Sequence, residues 1–418
     1  MAAVPRLIRI SDLRHPIPTE AHRRELKYAE SHPVDLSVDS VLSAALSRTG
    51  LDDFGPDDFV PRLQAWLENV ENDPGRTALG RSIMFQRCVQ YASNRLRLQE
   101  LLSRYPEILD VHVQRPIIVV GPPRSGTTQL VNLLAAHSEL RSLRYWERDE
   151  PAPVSSETGP GATDLRRART AKRHERIRSL LPHLPAMQPW DPDDVYEEFW
   201  LQDSDFASCV WAWTADVRPW PGHQVGQYHR PHYDYMKTVL KALQWQRGPQ
   251  RWVLKSPEHA ENIGPLISTF PDATIVMCHR NPVSVVQSFA TFSAYRARVD
   301  YHDIDIDSVM TYCIDRIRHL LHTSVRDRNL IPQDRLIDVP FLDFMRSQIR
   351  TALRICTAAE LKVSDKQRHR LERYVADRPR GRHGQISYNL RADFGVNPAL
   401  LHDQFLFYRE NFPLMTQT

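Results

Sequence analysis

Apolar residues recur every three or four positions from Phe59 to Val70 and from Arg81 to Tyr105, with no strand-like alternation. This predicts helices over most of residues 20 to 110. The pattern changes at Pro116, where Ile117-Ile-Val-Val120 forms a short, unbroken β-branched run, as expected of a strand buried on both faces. It leads straight into Gly121-Pro-Pro-Arg-Ser-Gly-Thr-Thr128, after which Gln129 to His137 returns to helical spacing. A second unit follows, with a strand at Arg251 to Lys255, a helix at Glu258 to Phe270 and a strand at Thr274 to Cys278. Pro282 then opens another helix as a first-turn proline does. A shorter strand is expected at Leu336 to Val339. Strands alternating with helices predict an α/β domain with a P-loop-type parallel sheet flanked by helices, which places ligands beyond the carboxyl ends of its strands.

Between the two units lies an insertion, at about residues 150–230. Its first part, 150 to 163, is rich in Pro, Gly, Ser and Thr and reads as a loop. Asp164 is placed to cap the arginine-rich helix that follows, whose run Arg166 to Arg178 reads as a solvated face. An aromatic-dense stretch comes next, with Trp190, Phe199, Trp200, Phe206, Trp211, Trp213 and Trp220. It suits either a core around inserted helices or an apolar ligand cleft. The chain thus divides into a helical accessory region, 1–110, and a domain at 115–412 that carries the insertion.

Composition narrows the class. Of 418 residues, 41% are apolar and 25% charged, close to globular averages. The formal charge of +3 is too small to suggest nucleic-acid binding, so any basic site is local. No run of about 18 apolar residues occurs, and Met1 to Ile10 lacks a signal-peptide core. The cysteines Cys88, Cys209, Cys278, Cys313 and Cys356 are scattered without metal or disulfide spacing and read as reduced, buried thiols. A cytoplasmic enzyme is expected, with no transmembrane segment and with homo-oligomerisation left open.

The loop Gly121 to Thr128 has the spacing of a nucleotide-binding P-loop, but Thr127 stands where ATP and GTP enzymes place lysine. Backbone N–H groups and a helix N-terminus still make an anion site. The loop adds Arg124, Ser125, Thr127 and Thr128, one cation and three hydroxyls. Strand 274–278 ends in His279-Arg280, so a magnesium-binding carboxylate is missing from the obvious place. This chemistry suits a less charged group transferred without metal. A second anchor is Arg280 at a strand end with Ser288 about two helical turns into the next helix, so that both can face one anion. A third is Arg378-Pro-Arg-Gly-Arg-His-Gly384, a glycine-containing basic loop suited to a terminal phosphate.

Together these motifs resemble the sulfotransferases that use 3′-phosphoadenosine 5′-phosphosulfate (PAPS), and specifically a bacterial branch with a Gly-Pro-Pro-Arg-Ser-Gly-Thr-Thr loop. The resemblance covers roughly residues 115 to 412 and includes Tyr388 to Gly395. It implies transfer of a sulfuryl group from PAPS to a hydroxyl, or less readily an amine, of a small or lipid-like acceptor. By match, Arg124, Ser125, Gly126, Thr127 and Thr128 hold the 5′-phosphosulfate. Arg280 and Ser288 hold the 3′-phosphate, and Arg380, Gly381 and Arg382 close over it. Lys255 matches the family's lysine after the second strand and, with Arg124, is assigned to the transferring group and leaving oxygen. His259 lies two residues beyond the family's histidine and competes with Glu147 as general base, with Glu197 and Glu198 as further candidates. A P-loop nucleotide kinase and a non-catalytic nucleotide-binding module are the alternatives.

Overall fold

Strand β2 (Ile117–Val120) is the central strand of a five-stranded sheet in which every neighbouring pair is parallel. The sheet order is β3-β4-β2-β5-β6, with β3 at Leu140–Arg141, β4 at Arg251–Lys255, β5 at Thr274–His279 and β6 at Leu336–Pro340. The structure is a computed structural model that describes residues 6–154, 157, 164–188, 190–208, 229–379 and 381–413. Cys209, Trp211, Trp213, Trp220 and Arg380, singled out by sequence, lie outside the described residues.

Ile118 and Val120 join a core cluster with Trp252, Leu254, Ile275 and Met277. Ile117 and Val119 join a second cluster with Val253, Val276 and Cys278 on the other face. All four β2 side chains are fully buried, each burial stabilising the fold by about 1.5–3 kcal/mol. That two-faced burial is why the run is unbroken rather than alternating. Helix α5 (Thr127–Leu134) packs its leucines on the second face. It starts two residues before the sequence pattern does, because the loop threonines already form its first turn. The segment after β4 also differs from its sequence reading: residues Pro257–Glu261 form a 3₁₀ turn, and an α-helix follows only at Ile263–Thr269.

The region before the sheet holds four helices, α1 (Glu20–Ser31), α2 (Val38–Thr49), α3 (Val60–Glu71) and α4 (Ala78–Arg104). Thr19, Ser37 and Thr77 cap α1, α2 and α4 by accepting from His22, Ser40 and Gly80 N–H. Helices α2 to α4 enclose their own core around Leu63, Trp66, Leu67 and Cys88. Phe206, from the insertion, plugs into this core, its ring 5.3 Å from that of Trp66. Beside it, buried Arg95 and half-buried Arg62 pair with Asp205 at 3.0 and 2.7 Å. The insertion therefore fastens the helical layer to the sheet domain.

A small second sheet lies outside the segment 20–110 expected to be helical, and the sequence predicts no strand there. Strand β1 (Leu7–Arg9) pairs in parallel with β7 (Gln385–Ser387), Ile8 opposite Ile386. Three residues give too short a window for any periodicity to register. The insertion holds helix α6 (Tyr145–Asp149) and helix α7 (Arg166–Leu180). Asp164 accepts from Arg166 N–H at 3.1 Å, but α7 does not present a purely solvated face. Arg166 is buried, Arg169 pairs with Glu150 and Glu157, and Arg173 pairs with Asp149 and Glu150. Cys88, Cys278, Cys313 and Cys356 are buried thiols. Among the described residues, no helix is long and apolar enough to cross a membrane.

Candidate active site

A cleft of about 1380 Å³ opens beyond the carboxyl ends of β2, β4, β5 and β6. Its floor is the loop after β2. Gly121 lies at φ +146°, and a Cβ there would sit 2.6 Å from the carbonyl oxygen of Cys278, so a side chain is excluded where the loop leaves the sheet. Arg124 takes a left-handed conformation, φ +67°, which is costly for a residue with a side chain. Three contacts hold it there. Its Nε donates to Ser288 Oγ at 3.0 Å, its terminal nitrogen donates to the Met187 carbonyl at 2.5 Å, and Arg280 donates to the Arg124 carbonyl. Ser288 Oγ in turn donates to the Tyr388 hydroxyl at 3.0 Å.

These bonds draw three distant motifs onto one cleft wall: the β2 loop, the start of the helix Pro282–Ala297, and the segment after the basic loop. Arg124, Gly126, Thr127, Thr128, Arg280, Ser288, Gly381 and Arg382 all line the cleft. Ser125 does not. Its buried Oγ donates to the Pro122 carbonyl at 2.6 Å and braces the loop from behind. The Arg280 guanidinium lies 4.3 Å over the Phe341 ring, which fixes its plane. In the basic loop Gly384 N–H closes onto Gly381 O at 2.8 Å. Gly384, at φ +95°, lies so close to β1 that a Cβ would fall 2.6 Å from Ile8 Cδ1. Arg378 at its start is tied to Asp194 at 3.1 Å.

Lys255 ends β4 and reaches the cleft with only 5% of its surface exposed, its ammonium paired with Glu197. The two groups proposed from sequence for the proton do not reach it. His259 is fully buried, with Nε2 on Glu198 at 2.6 Å and Nδ1 on the Tyr233 hydroxyl at 2.7 Å. Because Pro257 starts a 3₁₀ turn, residue 259 rotates into the core and residue 258 rotates to the cleft. Glu147 is also fully buried. It accepts from Arg144 N–H at 2.9 Å in a capping box and pairs with Arg141 and Arg247, each at 2.8 Å. Both groups brace the fold behind the cleft. Glu198 does so too, accepting from Lys255 N–H at 2.7 Å.

Two other carboxylates face the cleft beside Lys255. Glu197 also accepts from Trp200 Nε1 at 3.0 Å. Glu258, which the sequence reading passed over, accepts from Ser256 Oγ. Burial, reinforced by the negative charge of Glu197, pushes the Glu258 carboxyl well above the carboxylate range. A titratable group raised in this way next to a buried lysine is suited to exchanging a proton near neutrality. The aromatic stretch divides between two roles: Phe199 and Phe206 are core residues, while Trp190 and Trp200 line the cleft. Helices α1 and α4 close the far side, so the layer read as accessory is a wall of the site.

Residues 116–365 match the profile of the sulfotransferase family. No curated protein matches the sequence. Among solved structures, the chain resembles sulfotransferase STF9 from Mycobacterium avium, with a TM-score of 0.79 at 24% identity over 92% of this chain and 99% of that one. It also resembles sulfotransferase STF1 from Mycobacterium tuberculosis H37Rv, with a TM-score of 0.72 at 24% identity over 88% and 98% of the two chains. With 92% of the chain covered, the likeness of fold extends into the helical layer that precedes residue 116.

Proposed function

The chain belongs to the sulfotransferase family, and from that premise we propose that it moves a sulfuryl group from PAPS to a hydroxyl of a small or lipid-like acceptor, an amine being the less favoured nucleophile. The observation that carries this reading is the convergence of a lysine-free phosphate loop, Arg280 with Ser288, and Arg378, Gly381 and Arg382 of the basic loop on one cleft. Cations and hydroxyls contributed by three chain segments along one wall suit a donor charged at both its 5′ and 3′ ends. In the reaction, the acceptor oxygen bonds to sulfur as the bond from sulfur to the bridging oxygen of the 5′-phosphate breaks. 3′-Phosphoadenosine 5′-phosphate leaves, and the acceptor proton passes to Glu258. Lys255 and Arg124 neutralise charge as it grows on the leaving oxygen. Arg280, Ser288 and the basic loop hold the 3′-phosphate.

The donor product should bind without a divalent metal, since arginines and loop hydroxyls take the place of the lysine and magnesium of triphosphate enzymes. Calorimetry in excess EDTA checks this, and binding that vanishes on chelation would favour the kinase alternative. Arg280→Ala should weaken 3′-phosphoadenosine 5′-phosphate by roughly tenfold to a hundredfold, the worth of a charge-assisted hydrogen bond. Adenosine 5′-phosphosulfate, which lacks the 3′-phosphate, should lose much less. Equal losses for both nucleotides would remove Arg280 from the 3′-phosphate.

A further inference from the structure

The cleft extends well beyond the loops that suit the donor. Helix α4 turns one stripe toward it at three- and four-residue spacing, with Leu79, Ile83, Arg87 and Tyr91 on it and Ser82, Gln86 and Gln90 alongside. The helix Pro282–Ala297 runs along the opposite side from Ser288, at the donor end, to Arg296. Eight residues of helix separate those two by about 12 Å. Phe289 and Phe292, also facing the cleft, lie between them. The far part of the cleft therefore presents apolar groups, among them Ile83, Phe289 and Phe292, together with polar ones such as Ser82 and Gln86, and brings Arg87 and Arg296 onto its walls.

Three other arginines on that side have carboxylate partners. Arg148 pairs with Asp149 and Asp203, Arg173 with Asp149 and Glu150, and Arg176 with Glu25. Arg296 differs. Its Nε is buried without a hydrogen-bond partner, and among the described residues no carboxylate lies within ion-pairing distance. Asp300, just beyond that helix, is engaged by Arg76 at 3.1 Å. Burial, and then the positive charge of Arg87, hold the Arg296 guanidinium below its ordinary pKa. A half-buried guanidinium facing a like charge, and attracted by Asp300 only from beyond ion-pairing distance while Arg76 engages that carboxylate, is costly unless a ligand supplies an anion.

We infer that the acceptor is itself an anion, an apolar skeleton bearing a carboxylate or a phosphate monoester, and that Arg87 and Arg296 bind this group at the far end of the cleft while the hydroxyl points toward Lys255. The inference rests on the sulfuryl-transfer reading. Its direct probe is a pair of dead-end ligands, octanoate and 1-octanol, titrated by calorimetry into enzyme saturated with 3′-phosphoadenosine 5′-phosphate. Octanoate should bind at least about tenfold more tightly than octanol, as one well-placed charge-assisted contact implies. Arg296→Gln and, on the opposite wall, Arg87→Gln should each abolish that preference and leave the affinities for octanol and nucleotide unchanged. Octyl phosphate tighter than octanoate supports the phosphomonoester form, and the reverse order supports the carboxylate form. No preference for octanoate in the wild type, or a preference that survives both substitutions, overturns the inference. Failure of the nucleotide to bind would overturn the donor reading as well, so the two failures are told apart in the first titration.

Discussion

Lys255→Met is expected to lower kcat by about 10²- to 10³-fold while the affinity for 3′-phosphoadenosine 5′-phosphate changes by less than about tenfold. The lysine is fixed at both ends. Its backbone is paired in register with Val119 at the end of β2, and its ammonium is held by Glu197 in a nearly closed environment. A cation so placed needs no reorganisation when charge develops on the leaving oxygen, and the low local dielectric strengthens its effect. Single-turnover kinetics with saturating donor measure the chemical step directly. Methionine keeps the packing of the lysine stem, so a loss in kcat reports charge rather than a cavity. A fall of less than about tenfold would take Lys255 out of the transferring site.

Glu258→Gln should cost two or more orders of magnitude in kcat, within the about 10²- to 10⁴-fold range of a positioned general base. The sign of the pH dependence follows from the raised pKa of this carboxyl. A base must be deprotonated to act. Raising its pKa keeps the proton on at pH values where an ordinary carboxylate has lost it. The rate should therefore climb with pH through a value well above the carboxylate range, and the acid limb should disappear in the glutamine variant. Alcohols should suffer more than acidic phenols, whose proton needs less help. If kcat survives the substitution with its acid limb intact, the base is elsewhere, and Glu197 is the next residue to replace. His259→Ala, by contrast, should act mainly on stability, because it strips partners from buried Glu198 and Tyr233.

The parts of this molecule that were legible in the sequence are those governed by local pattern. Ile117 to Val120 read as a strand buried on both faces, and the glycines and threonines after it as a tight loop running into a helix, which is the local structure found. Arg280 and Ser288 were readable because a strand end and two helical turns fix their relative direction. The proton site was not readable in this way. Whether residue 258 or 259 faces the cleft depends on one turn being 3₁₀ rather than α, a difference of a fraction of a turn that Pro257 permits but periodicity does not reveal. Glu147 misled for another reason. Its capping box hangs on the backbone N–H of Arg144, a residue without the short polar side chain that usually announces that motif. The role of α1 and α4 as a wall of the site is a tertiary fact, carried by Phe206 and Asp205 reaching across from the insertion.

The pairing of β1 with β7 sets an order of events. Ile8 and Ile386 meet only after a loop spanning nearly the whole chain has closed, and every element between them shortens the search. The entropic cost of closure grows only logarithmically with loop length, but contacts of such separation are made late. The basic loop is joined to β7 through Gly384, so it takes its final position when the rest of the sheet already stands. On the donor reading proposed above, a nucleotide under that loop binds the closed arrangement and, by mass action, stabilises it. On the same reading, product release is coupled to a seam remote in sequence from the cleft floor, and substitutions at Ile8 or Ile386 would change it without altering a residue of the phosphate loop.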